Sequence, residues 1–269
     1  MKPTELDYQA LLQAVKERKI VNLLSVIHLQ ETLPALKAST PNVAQEELKL
    51  IYELIDTTQL VRPYNDLLMG DIFTYAHGEK LQSPFVAHLI SFDEFLSTAG
   101  GVNEQIKVID ETEVEKDTFT TLTRLAKDAY RDEIIKRFGN KQPTFEEFYG
   151  GLKMETIEKA ITRTEHETKI QGLMENCKNR GLEEMLKIDS VCVYVGASLS
   201  YQYADIFGEI KAKKQRRLGD SADLRHAISA SPADIFVTHD DEFAYWMGRI
   251  PDKPFQVLDH INKLVKMVS

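Results

Sequence analysis

The chain has little cysteine. Of its 269 residues only Cys177 and Cys192 are cysteines, and neither stands in a CxxC pair or in Cys/His spacing. That pattern indicates neither a disulfide framework nor a zinc site, and it suits a reducing cytoplasm. Long hydrophobic runs are missing as well: no apolar stretch approaches the roughly 20 residues that cross a bilayer, and no basic-plus-apolar leader opens the chain. The expectation is a cytoplasmic protein that does not associate with membranes. A Gly-rich phosphate loop, a G-x-S-x-G elbow and a DxDx(T/V) run are all absent, which argues against an α/β phosphatase or hydrolase with Asp240 as nucleophile. Positive charge is in deficit too. A formal net charge of −9 speaks against coating duplex nucleic acid by bulk electrostatics.

What is present is an ordinary folded composition, 43% hydrophobic and 28% charged. Residues 5 to 17 place Leu6, Leu11, Leu12 and Val15 near one face and predict a helix. "KIVNLLSV" follows as a β-rich run, and Ser25 can cap a helix carrying "IHLQETL". From about residue 43 to 188 nearly every periodic stretch is helical, which predicts a subdomain of about four to six helices. The last third returns to α/β. Ser221 is expected to cap a helix reaching to about residue 231, "DIFVT" is a strand, and "FQVLDHINKLVKMV" is a strand followed by a helix. The division expected is an α/β core of residues 1–42 and 189–269, with 43–188 as a helical insertion.

Three places carry chemistry. Asp220, Asp223 and His226 are spaced i, i+3, i+6 near one helix start, so they share a face. Asp220 also reads as an acid favouring the positive end of the helix dipole, whereas Asp223 lies on the face of Ala227 and Ala230, where tight packing is expected. In "VTHDDEF", Thr238 and Asp240 stand at the C-terminal tip of an apolar strand, the edge where open α/β sheets gather ligands. Asp241 is expected to open the next turn or to cap the helix "EFAYWMG". His28 and Glu31 lie one turn apart after a strand, a spacing that also fits a surface pair. Together Glu31, Asp223 and Asp240 all belong to strand-to-helix junctions, and clustered carboxylates do not stay ionised without a cation. Oxygen donors select Mg²⁺ or Mn²⁺, ions that serve phosphodiester cleavage. Just upstream, Lys211, Lys213, Lys214, Arg216 and Arg217 form a basic run that reads either as a solvated last helical turn or as a patch drawing RNA phosphates toward the acids.

"SADLRHAISASPADIFVTHDDEF" resembles the C-terminal signature of PIN-domain ribonucleases, in which an acid opens a helix, "AD" precedes a strand, and the strand ends in Thr-x-Asp followed by Phe. "KIVNLLSVIHLQETL" looks like that family's second strand and the helix carrying its glutamate. The resemblance covers roughly residues 18 to 38 and 218 to 265. It implies a PIN-like three-layer α/β/α fold around a parallel sheet and cleavage of RNA, as in toxin or defence nucleases. By the same resemblance Glu31, Asp223 and Asp240 are catalytic metal ligands for Mg²⁺ or Mn²⁺, Asp220 is an added ligand, and Thr238 is a hydroxyl that orients substrate or supports the ligands. Lys213, Lys214, Arg216 and Arg217 would meet the RNA.

The chain departs from that pattern at its start. Members of the family open with a strand ending in an aspartate, whereas this chain opens with "MKPTELDYQALL", where Asp7 sits on a helix. "IKVIDE", ending at Asp110, is the other strand-then-acid run, and it lies in the helical middle. The expectation is a truncated start, or else a fold completed differently with weakened catalysis. In the second case the chain is a catalytically defective PIN-like module for RNA or protein binding, and an open sheet edge predicts association with another copy or with a partner protein that completes the sheet.

Overall fold

The helix α6, Asp189–Phe207, buries apolar residues on two faces because it separates two cores. Val191, Val195, Leu199 and Tyr203 follow one another at i, i+4, i+8 and i+12 and face a helical core. Val193 and Ala197, on the other side, face a smaller α/β core. A computed structural model describes residues 5–25, 41–55, 60–86, 91–95, 97, 132–139, 142–207 and 219–268. The first core is built from α3 (Tyr64–His77), α4 (Phe145–Thr168), α5 (Leu173–Arg180) and a short 3-10 helix, Leu182–Lys187, packed on α6. Phe148, Leu152, Ile157 and Ile161 of α4 are almost wholly buried there.

Local signals set several of these boundaries. The hydroxyl of Thr144 accepts the Glu147 backbone N–H (3.2 Å) while the Glu147 carboxylate accepts the Thr144 N–H (2.8 Å), a reciprocal cap that starts α4. Gly78 ends α3 in the left-handed region at φ 70°, its N–H turned back to the Tyr75 carbonyl. Tyr203 ties α6 to the start of α4 by donating to the Pro143 carbonyl at 2.7 Å.

The strands form two parallel pairs. β1 (Leu24–Ser25) pairs with β2 (Leu60–Val61), and Phe85 adds an antiparallel bridge to Val61. β3 (Ile235–Val237) pairs with β4 (Gln256–Leu258), aligning Ile235 with Gln256 and Val237 with Leu258. The fold is therefore mixed helix and sheet with small parallel sheets, and among the described residues the two pairs are separate. Around them stand α1 (Glu5–Lys16), α2 (Pro41–Leu54), α7 (Gly219–Ser229), α8 (Asp241–Arg249) and α9 (Ile261–Val268). The helices α1 and α9 touch, and Lys19 donates to the Val268 carbonyl at 3.2 Å, so the two ends of the described chain meet.

Within 43–188 the strand Leu60–Val61 stands among the helices, because both residues are buried and complete their backbone hydrogen bonds beside β1. Two expectations need correction. The helix expected to be capped by Ser221 already includes Gly219 and Asp220, so Ser221 is a helical residue and not the one before the first turn. Asp240, not Asp241, caps α8: its extended backbone (φ −90°, ψ 105°) turns the carboxylate onto the helix N–H groups, and Asp241 is the first helical residue.

Candidate functional site

The C-terminal edge of the β3–β4 pair collects polar side chains because both strands stop there. Thr238 continues the ladder by one bond, its N–H donating to the Leu258 carbonyl at 2.9 Å. Its hydroxyl accepts the Asp240 N–H at 3.1 Å, so the strand end and the helix start are locked together. The Asp240 Oδ1 atom then accepts the N–H groups of Glu242 (2.9 Å) and Phe243 (3.0 Å). Two of the orphan donors at the start of α8 are satisfied in this way. The carboxylate pair that ends this strand is thus divided: Asp240 is tied to backbone, and Asp241 is exposed in the first turn, where it complements the helix dipole.

Two further acids of the sequence belong to α7. Asp220 is the second residue of that helix, and Asp223 follows one turn later, half-buried in the wall of a cavity of about 220 Å³. Phe243 lines the same cavity. Since Phe243 N–H is bound by Asp240, the fold brings the Asp223 turn and the Asp240-capped end of α8 to one place. His226, one turn beyond Asp223, is also half-buried.

A histidine pair stands on the same edge and was not singled out from the sequence. Extending the β3–β4 register by two residues sets His239 opposite His260, and their rings meet edge to face with centroids 4.6 Å apart. The Nδ1 atom of His260 accepts the Asn262 N–H at 3.0 Å, which assigns the ring proton to Nε2 in the neutral form. Asp259 beside it pairs with Lys263 at 2.6 Å, and that hydrogen bond holds its carboxyl below the usual aspartate value. The available signal was the matched endings "IFVTH" and "QVLDH", which align once the two strands are paired in parallel.

Other predicted site residues lie outside the described residues: Glu31 with His28, the basic residues Lys211, Lys213, Lys214, Arg216 and Arg217, and Asp110. Asp7 is on α1. Among the described residues no group of three or more His, Cys, Asp or Glu side chains gathers in a way that could hold a metal ion. No described helix is long and apolar enough to cross a membrane. Asp240 at the strand edge and Asp223 in the cavity wall each carry hard carboxylate oxygens of the type Mg²⁺ and Mn²⁺ accept. The buried thiols of Cys177 and Cys192, both pushed up to about 11 by burial, have no thiolate to offer. Comparison with protein-family models, curated proteins and solved structures finds no match for this chain.

Proposed function

We propose that this chain is a metal-dependent ribonuclease of the PIN-domain type, a three-layer α/β/α fold around a parallel sheet that cleaves RNA phosphodiester bonds. The observation that carries the reading is the junction at Phe243, a residue that lines the Asp223 cavity and at the same time binds the Asp240 cap. Glu31, Asp220, Asp223 and Asp240 are the residues that would hold Mg²⁺ or Mn²⁺, which when bound supplies an activated water and stabilises the leaving oxygen. The chain's own contributions are positional. Two backbone N–H groups hold Oδ1 of Asp240 and so orient its carboxylate, and the Thr238 hydroxyl fixes the strand end beneath it. The basic run from Lys211 to Arg217 concentrates RNA phosphates near the acids, an attraction that weakens as salt rises. Another copy, or a partner protein, would complete the sheet by pairing with an open strand edge.

The test is cleavage of single-stranded RNA with Mn²⁺, set against the same reaction with Asp223→Asn. Cleavage that requires the cation and disappears in the variant supports the assignment. Full activity in the variant removes Asp223 from the mechanism.

A second reading is a PIN-like module that binds RNA or a protein without cleaving. It is favoured by the finding that, among the described residues, no group of three or more His, Cys, Asp or Glu side chains gathers in a way that could hold a metal ion. Titration calorimetry with Mn²⁺ separates the two, because only an assembled four-acid site gives a saturable heat.

A further inference from the structure

The cavity beside Asp223 has a composition that specifies its occupant more closely than the acids do. It lies between α6, α7 and α8, and its volume of about 220 Å³ is below the roughly 300–1,000 Å³ of pockets that enclose drug-sized ligands. A single ring system is the size it accepts. Its lining is largely apolar, with Ala197 on one side and Phe243 on another. Tyr201 and Trp246 form an aromatic corner, meeting edge to face at 80° with centroids 4.9 Å apart. Such a corner favours a flat occupant, because every nucleobase has a π-face that stacks on an aromatic side chain. The packing that builds the corner is firm: the Ser200 hydroxyl of α6 donates to the Trp246 carbonyl of α8 at 3.1 Å.

The polar part of the lining then selects among flat rings. Asp223 contributes a carboxylate, which when ionised only accepts hydrogen bonds, Gln202 an amide that both donates and accepts, and Ser198 a hydroxyl that can turn to do either. Guanine is the one RNA base with two adjacent N–H donors on its Watson–Crick edge, at N1 and at the exocyclic N2. Uracil sets its single N3–H between two carbonyl oxygens that a carboxylate repels, while adenine and cytosine each offer one amino group beside a bare ring nitrogen. We infer that this cavity receives an unstacked guanine base of single-stranded RNA, its edge toward Asp223 and Gln202 and its ring against Tyr201 and Trp246. The inference rests on the ribonuclease reading for its choice of RNA and names the base next to the cleaved bond.

Trp246 is the sole tryptophan of the chain, and its emission therefore reports this cavity alone. The experiment titrates the full chain with guanosine, adenosine, cytidine and uridine monophosphates, with chelator present so that no divalent cation contributes. Guanosine monophosphate is expected to quench the emission with half-saturation at roughly one tenth of the uridine concentration, the discrimination of one good two-bond edge contact. Ala197→Phe, which fills the cavity and leaves every acid in place, is expected to abolish the quench. Tyr201→Leu is expected to weaken all four nucleotides alike, and it decides the matter together with the wild-type selectivity should circular dichroism show Ala197→Phe unfolded. Absence of a quench, equal response to guanosine and uridine, or an undiminished response in folded Ala197→Phe each overturns the inference. RNA cleavage that persists when guanosine selectivity is absent removes the base pocket and keeps the nuclease. Guanosine selectivity without any cleavage removes the nuclease and keeps the pocket.

Discussion

Gly196 and Ile250 touch so closely that a methyl group on Gly196 would fall 2.3 Å from Cγ2 of Ile250 and 3.0 Å from its Cβ. Gly196 is at the middle of α6, where an ordinary helix would carry alanine, and Ile250 is 2% exposed at the C-terminal end of α8. The missing side chain lets the turn after α8 press against the helix that separates the two cores. Gly196→Ala gains helix propensity and loses more through the clash, so a net destabilisation of about 1–3 kcal/mol is expected from urea denaturation. Ile250→Ala removes Cγ2, the atom the new methyl meets most closely, and leaves only the 3.0 Å approach to Cβ. The double variant should therefore lose less than the sum of the two single losses, and strict additivity would show that the contact is relieved some other way.

Asp240 caps α8, and the proposed function would give it a second, separable role. As the cap of α8 it needs only a side-chain oxygen, which asparagine also supplies, whereas alanine supplies none. Asp240→Ala is expected to cost about 1 kcal/mol in stability and Asp240→Asn only a few tenths. As a metal ligand it needs its charge. Asp240→Asn should then leave the denaturation midpoint near wild type while cation-dependent RNA cleavage disappears. Cleavage at the wild-type rate in that variant would leave Asp240 a cap and nothing more.

The elements legible in the sequence were those specified by neighbours in the chain. "DIFVT" and "FQVLD" became β3 and β4, and the stretches after them became α8 and α9, because apolar residues bounded by proline and aspartate are local signals. The half-buried position of Asp223 followed from its spacing to Ala227 and Ala230, both of them buried. What the pattern could not give depended on partners far along the chain. The largely apolar run 190–207 is buried on two faces, which blurs its period, and its place between two cores explains it as a helix. β2 is two residues long and exists because β1 lies beside it. The His239–His260 contact requires the strand register, which no single segment contains. The choice between Asp240 and Asp241 as cap turned on one residue, and backbone dihedrals at the strand end decided it.

Thr144 offers a direct measure of how much a cap contributes here. Its reciprocal bonds with Glu147 start a helix of 24 residues whose first residue, Phe145, packs edge to face on Tyr203 at 5.6 Å. Thr144→Ala leaves the Glu147 N–H without its side-chain acceptor and should lower stability by about 1 kcal/mol in thermal or urea melts. Thr144→Ser keeps the oxygen and should stay near wild type. Equal losses in both variants would trace the effect to the methyl group instead.

Asp71 predicts the sign of one pH effect. It lies on α3, half-buried, and receives a hydrogen bond from the Ser190 hydroxyl at the start of α6. Burial raises its pKa above the usual 3.8, an effect that the Ser190 bond and the charge of Arg62 only partly offset. The folded state therefore keeps this proton to a higher pH than the unfolded chain does. Stability from this group is greatest below 3.8, falls as pH rises through the raised value, and stays reduced at neutrality. Glu155 acts in the opposite sense, since Lys159 and Arg137 lower its pKa and it adds stability as pH rises toward 4.5. Asp71→Asn removes only the first effect, because the asparagine carbonyl can still accept from Ser190. Urea midpoints measured from about pH 4 to pH 7 should show the variant gaining on the wild type as pH rises, with the difference levelling off once Asp71 is fully ionised. A difference that is constant across that range would mean that Asp71 titrates alike in the folded and unfolded chain.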